Sequence, residues 1–453
     1  MALQPSDILI VLLFVAIVIF SIVFFYVTNR RPALAYLLAI YTPFQNVILP
    51  IIFAWTTLPS QFGVALLTLK DSLLVIGLLF CLANVNHIAI KRVDILGLLF
   101  VAFLFVNFIF SDSEIGAALR ALRSFAIPVA LYAFGRLSIT STLQLDSFVK
   151  IICGVSVIVM ILASVDYILV VIGADPILPS PQEYLADFYG LLGSQEQSRF
   201  ASGFLGHIPK LIGPFGNNLI MAAFLRTTIC AFIFYLVRSG RNIRTTDIIF
   251  LITLFVASAL TLSRFAIASL YVIGFLLLVQ RALWNKAGKA IALVCFVIAT
   301  AFAWNILTEV ATTTLRIEDE STFAHVDSLV ELSSMELSIF GHGLGLNADS
   351  KGMTRALQGE GYIRQFTPEI GIFGVTLFLL FAISAVFSLV KFKDLTVTGI
   401  QSLPARFWIV LPIMLEILHA PIDTGIQSFL ANGLTWLLLG MVVTFEQKNP
   451  PPN

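Results

Sequence analysis

Phe340-Gly-His-Gly-Leu-Gly-Leu-Asn347 sits inside the longest polar interruption of an otherwise apolar chain, a stretch running from Thr308 to Val375. Arg316 opens this stretch, and a mixed-charge segment follows to Glu336. After the glycines come Lys351 and Arg355, then Glu360-Gly-Tyr362, Arg364 and Pro368-Glu-Ile-Gly-Ile-Phe-Gly374, which enters a new apolar run. An insertion of this length between apolar runs is either functional or disordered. Apolar residues at helical spacing (Leu329, Leu332, Met335, Leu337, Phe340) argue for a small folded cap closed by a glycine-rich turn.

The surroundings of that insertion set the class. The chain has 453 residues, 58% hydrophobic and 12% charged, where a soluble domain carries roughly 25% charged residues. The reading is an all-α polytopic membrane protein. A membrane helix needs ~20 apolar residues, and that criterion gives about thirteen spans (twelve to fourteen). They centre on 8–28, 33–55, 62–84, 94–110, 121–137, 147–173, 217–237, 246–262, 265–283, 288–307, 369–390, 407–420 and 427–445. The expected organisation is N-terminal membrane helices over 1–173, a first outward loop over 174–216 and central helices over 217–307. A large outward loop over 308–367 and C-terminal helices over 368–448 follow. The first run, Ile8 to Val27, lacks a basic leader and is too long for a signal core, so it reads as a retained helix.

Orientation follows from basic residues, which collect in cytoplasmic connections. Alternate connections hold Arg30/Arg31, Lys91/Arg92, Arg136/Lys150, Arg238/Arg241/Arg244, Arg281/Lys286/Lys289, Lys391/Lys393/Arg406 and Lys448. That set reads as cytoplasmic, with both long loops outside. Cys81, Cys153, Cys230 and Cys295 fall in apolar runs without CxxC spacing, which predicts free thiols and no structural metal. There is no Walker A sequence, dinucleotide-binding glycine fingerprint, HExxH or DxD-type pair in an outward loop. No cofactor and no nucleic-acid partner are expected, and a metal-dependent nucleotide-sugar transferase is disfavoured.

Several residues carry chemistry in this setting. Lys210-Leu-Ile-Gly213-Pro-Phe-Gly-Asn-Asn218 directly precedes an apolar run, so its backbone and a helix N-terminus favour an anion, or the asparagines simply cap the helix. Arg226 lies inside the next span, where an arginine lines a polar cavity or snorkels outward. Thr261-Leu-Ser263-Arg264 forms a sharp outward turn, and the guanidinium fork suits phosphate oxygens. Arg316, Arg355 and Arg364 are further anion ligands or solvated charges. His342 reads as a base, a phosphate donor or a turn residue. Glu369 reads as a base or as a helix-dipole partner, and Glu360 as a base. Glu416, His419 and Asp423 share one helical face as a polar lining or as ordinary packing.

These motifs together resemble the O-antigen ligase/polymerase superfamily. The resemblance rests on Gly341-His-Gly-Leu-Gly345 with Gly361-Tyr362 and Glu369-Ile-Gly-Ile-Phe-Gly374, on the Lys210 to Asn218 element and on the Thr261 to Arg264 turn. Weaker similarity extends over Arg120 to Gly135. It implies a GT-C-like architecture and extracytoplasmic, metal-independent glycosyl transfer between polyprenyl-pyrophosphate-linked oligosaccharides in the bacterial inner membrane. Membrane lipid and a chain-length regulator are the further partners. Lys210, Asn218, Arg226, Arg264, Arg316, Arg355, Tyr362 and Arg364 would bind substrate, with Glu360, His342 or Glu369 as base. The ligase branch places a histidine just before the tyrosine, where this chain has Glu360-Gly361. That departure favours a polymerase of O-antigen, capsule or exopolysaccharide. The alternatives are a ligase acting on a lipid core and, in another class, a polysaccharide or lipid transporter.

Overall fold

The computed structural model describes residues 31–55, 60–83, 89–139, 141–173, 209–215, 217–240, 243–280, 286–309, 338–346, 362–390, 403–419 and 429–448. Every regular element among them is helical. The helices are α1 (Arg31–Trp55), α2 (Ser60–Ala83), α3 (Arg92–Ile109), α4 (Ile115–Ser138), α5 (Thr142–Val171) and α6 (Asn218–Ser239). They continue with α7 (Thr245–Leu260), α8 (Arg264–Val279), α9 (Lys286–Glu309), α10 (Tyr362–Leu389), α11 (Ala405–His419) and α12 (Phe429–Lys448). A single 3-10 turn, Gly213–Phe215, precedes α6.

Each helix falls on one of the apolar segments read from the sequence. The segment at 8–28 and the loop cores at 174–208 and 310–337 lie outside the described residues. Five helical stretches are long and apolar enough to cross a membrane: Arg92–Ile109, Ile115–Ser138, Thr142–Val171, Asn218–Ser239 and Phe366–Leu389. Five more apolar stretches are shorter, among them Thr245–Leu260, Arg264–Val279 and Asn432–Phe445. One boundary moves: α10 begins at Tyr362 and kinks at Gly371, so Glu369 lies just before the kink.

In hydrocarbon the solvent is as apolar as the side chains, so helices associate by close packing and polar contacts. The closest pairing is α4 with α12. A methyl on Gly135 would overlap the Leu437 carbonyl, and one on Gly440 would overlap the Tyr132 carbonyl. The two glycines therefore seat the backbones against each other. Aromatic rings fill the next layer around α10. Phe378 meets Phe100 at 5.3 Å, Phe381 meets Tyr132 at 5.6 Å, and Phe381 stacks on Trp436 at 5.3 Å.

Polar contacts gather at two poles, because successive helices run in alternate directions. At one pole Arg136 pairs with Asp94 at 2.9 Å and Arg238 pairs with Asp146 at 2.9 Å. The Thr444 hydroxyl donates to the Arg136 carbonyl at 2.7 Å, and Gln280 exchanges two hydrogen bonds with the Leu403 backbone. The opposite pole carries the ends of α3, α5, α7 and α11 and the starts of α4, α6, α8 and α10. Lys210, Asn218, Arg264, His342 and Glu369 lie there.

Candidate functional site

Two clusters occupy that pole. The first is built around the α7–α8 turn. Thr261 closes α7 and Leu262 adopts φ 51°, the left-handed region that ends helices. Leucine pays a steric cost there, which its buried side chain offsets. The Ser263 hydroxyl then accepts from the Ala266 N–H and starts α8, so Arg264 is its first residue. Two other segments brace the turn. The Leu211 N–H donates to the Leu260 carbonyl at 2.8 Å, and the Asn218 side-chain amide donates to the Thr261 carbonyl at 3.0 Å. The three segments that carry Lys210, Asn218 and Arg264 are thus joined at one corner.

Within this corner the asparagine pair divides its work. Asn217 caps α6 by accepting from the Leu219 and Ile220 N–H groups at 2.7 and 3.3 Å. Asn218 tethers the turn, so it positions Arg264 in place of offering its amide to a substrate. Lys210 is half-buried, and loss of water lowers its pKa below the ordinary lysine value. Gly213 takes φ 53°, and a methyl on it would sit 2.9 Å from the Ala163 side chain, which seats the 3-10 turn on α5.

Directly beneath the corner, Arg226 is buried at 2% exposure and ion-paired with Glu416, itself 3% exposed. Its guanidinium carbon stands 4.8 Å from the centre of the Phe265 ring, and Nη1 reaches the Ser269 hydroxyl at 3.5 Å. Helices α6, α8 and α11 close on the pair, and the carboxylate supplies the counter-charge that hydrocarbon cannot. Of the expected Glu416/His419/Asp423 face, Glu416 and His419 join this cluster, while Asp423 lies outside the described residues. Phe265 and Ser269 were not legible as site residues, because single apolar or small side chains on an apolar helix carry no signal.

The second cluster is the glycine turn. Gly341, Gly343 and Gly345 all have positive φ, at 81°, 106° and 94°. Each lies against backbone: Gly341 on Glu369 and Gly371, Gly343 on Ser111, and Gly345 on Ala117 and Ala118. Helix α10 breaks at Gly371 (φ 67°, ψ 176°) to receive the turn. The His342 N–H donates to the Pro368 carbonyl at 2.8 Å, and the Ile372 and Phe373 N–H groups reach Ser338 and Ile339. The Gly345 N–H donates to the Glu369 carboxylate at 3.3 Å, and the Ser111 hydroxyl donates to the Leu344 carbonyl at 2.6 Å. Ser111, unnoticed in the sequence, locks the α3–α4 connection onto the turn.

This geometry separates His342 from Glu369, the two base candidates among the described residues. Glu369 is 3% exposed and engaged with the turn, which assigns it a structural task. The His342 side chain is exposed at the pole surface, where a substrate could reach it. Arg316, Arg355 and Glu360 lie outside the described residues, as do the side chains of Tyr362 and Arg364. Among the described residues no group of three His, Cys, Asp or Glu side chains is placed to hold a metal ion. The four cysteines are free thiols, and Cys153 is only partly buried. Compared with protein-family models, curated proteins and solved structures, the chain matches none.

Proposed function

We propose that this chain is a metal-independent membrane glycosyltransferase that joins polyprenyl-pyrophosphate-linked oligosaccharides on the outer side of a bacterial inner membrane. The observation that carries the reading is the corner where the segments bearing Lys210 and Arg264 are held together by the Leu211–Leu260 backbone contact and by Asn218. Two cations held by separate segments at the end of an apolar bundle match a lipid pyrophosphate, which lies at headgroup depth. In this reading the protein has about thirteen spans of ~20 residues and a GT-C-like arrangement, and the pole bearing both clusters faces outward.

The chemistry follows from what is available outside the membrane. No nucleotide is at hand, so the lipid pyrophosphate is the leaving group. A hydroxyl of the acceptor attacks the anomeric carbon of the donor. The glycosidic bond forms, the bond from that carbon to the pyrophosphate oxygen breaks, and the acceptor proton passes to a base. Lys210 and Arg264 stabilise the charge that develops on the departing pyrophosphate, joined by Arg316 and Arg364. His342 or Glu360 accepts the proton. Glu360 in place of the ligase histidine favours chain extension over transfer to a lipid core.

The test is a reaction of the purified protein in detergent with a lipid-linked repeat unit, read as a gel or mass ladder. Extension without a gradient or second compartment, unchanged by EDTA, supports the reading. Failure to extend, with vectorial movement of the lipid in vesicles, would make the protein a transporter. Loss of the ladder in Glu360→Gln but not His342→Ala assigns the base to Glu360, and the reverse assigns it to His342.

A further inference from the structure

Residues 338–346 read as part of a loop beyond the membrane helices, but their contacts set them lower. Gly345 rests on Ala117 and Ala118, inside the apolar stretch Ile115–Ser138, and Gly341 rests on Glu369 and Gly371, inside Phe366–Leu389. A file of aromatic rings fixes the depth. Phe103 of α3 meets Phe373 at 5.2 Å, and Phe373 meets Phe340 at 5.9 Å. The stretch Arg92–Ile109 has 18 residues, about 27 Å of helix, and a hydrocarbon core of about 30 Å uses all of it. The end of α3 therefore does not rise clear of the hydrocarbon. Phe103 lies about 9 Å inside that end, and its side chain leans further inward, toward the helix N-terminus. Even if both ring-to-ring steps ran straight outward, Phe340 would finish within about 2 Å of the end of α3.

The composition and bonding of the turn suit that depth. Ser338 to Leu346 contains no Lys, Arg, Asp or Glu. Irregular backbone is tolerated in hydrocarbon only where protein takes up its polar groups. Here the His342 N–H is bonded to Pro368, the Gly345 N–H to Glu369 and the Leu344 carbonyl to Ser111. The Ser338 hydroxyl donates to the Gly341 carbonyl at 3.2 Å, and the Ser338 and Ile339 carbonyls accept from the Ile372 and Phe373 N–H groups. Two apolar side chains are left pointing away from the protein: Ile339 and Phe340 are 64% and 61% exposed. Phe373, on which Phe340 packs, heads a stripe of exposed apolar residues, Leu380, Ile383 and Phe387, that runs down the spanning stretch of α10.

We infer that Ile339 and Phe340 form an apolar wedge inserted among the acyl chains of the leaflet at this pole, so that the glycine turn is a re-entrant membrane element. The occupant of this surface is the one that covers the Phe373 stripe of α10, because the two make one continuous face. His342, two residues beyond Phe340, is thereby held at headgroup depth. The inference does not depend on glycosyl transfer, since the wedge would lie in the lipid of an enzyme or a transporter.

The test places a cysteine at Ile339 of the full-length protein, with Cys153 replaced, and labels it with nitrobenzoxadiazole in phosphatidylcholine nanodiscs. Nitroxide carried on the lipid acyl chains is expected to remove most of the emission, as it does for a reference label at the exposed Leu98 of α3, whereas iodide in the buffer removes little. Phe340→Cys is the second site, should Ile339→Cys disturb the turn. Quenching by iodide but not by nitroxide lipid would overturn the inference and put the turn in water. Quenching by neither would overturn it as well, because another part of this chain or a partner would then cover the wedge. Glycosyl transfer is read separately, from ladder formation, so the failure of either leaves the other standing.

Discussion

The Phe265 ring and the His419 imidazole lie parallel, with centroids 3.8 Å apart and planes 3° apart, and the Arg226 guanidinium carbon lies over the same ring, 4.8 Å from its centre. One aromatic ring thus joins α8 to α11 and α6 in the first turn after Arg264. The stack fixes the backbone from which Arg264 projects, and the Arg226–Glu416 pair fixes the stack.

Breaking that pair should be expensive. Glu416→Ala leaves a buried guanidinium without its described counter-charge, which costs about 3–5 kcal/mol, whereas Arg226→Met with Glu416→Leu removes both charges and should cost far less. Thermal unfolding of the four proteins in detergent, read as a double-mutant cycle, measures the coupling. A Glu416→Ala protein as stable as wild type would show that the pair does not pin these helices.

The glycine turn makes a prediction about stability alone. Gly341→Ala and Gly371→Ala place a methyl into facing backbone at φ 81° and φ 67°. Each should destabilise by more than the ~1–3 kcal/mol of local strain, seen as loss of monodisperse protein after extraction. His342→Ala should leave the folded yield unchanged, because only its backbone N–H is used in the turn. A normal yield from Gly371→Ala would mean that the turn does not dock on α10 as described.

Arg264→Lys keeps the charge and loses the planar fork that binds two phosphate oxygens at once. Most transfer activity should be lost, with insertion and expression intact. Full activity in the lysine variant would reduce this arginine to an interfacial anchor.

Lys210 should leave a mark on the pH profile. Burial lowers its pKa from the ordinary 10.5, so its charge is lost at a lower pH than that of a solvated lysine. A bound anion needs the charged form. In the proposed reaction, affinity for the lipid pyrophosphate should therefore hold at neutral pH and fall on the alkaline side, with a midpoint below 10.5. Lys210→Arg should remove that limb, since arginine stays protonated throughout. A limb unchanged in Lys210→Arg would assign it to another group. For folding the sign is opposite: the unfolded chain binds the proton more tightly, so this lysine favours the folded state as pH rises through its lowered pKa.

Orientation can be read with single cysteines and an impermeant thiol reagent, after replacing the partly buried Cys153. Cysteines at Ser194 and Ser350 should react from outside, and one at Thr245, where α7 begins, should not. Labelling of Thr245 alone would invert the protein and move both clusters to the cytoplasmic side.

The sequence by itself determined the class of this protein and the place of its helices. Runs of apolar residues long enough for a bilayer have one low-energy solution, a helix that satisfies its own backbone. That is why α1 to α12 fall where hydropathy put them. It also located the polar pole, since Lys210, Arg264 and the glycine turn interrupt those runs. What it could not give was the partner of each buried group. Arg226 and Glu416 are separated by 190 positions, and nothing in local composition says that one neutralises the other. The same holds for Ser111 and Leu344, and for Gly135 and Gly440. Their pairing is set by which helices lie side by side, because a single residue in hydrocarbon is committed only when a second helix brings its complement. Glu369 shows the consequence: the sequence offered it as a base or as a helix-dipole partner, and the fold turned its carboxylate toward the Gly345 N–H.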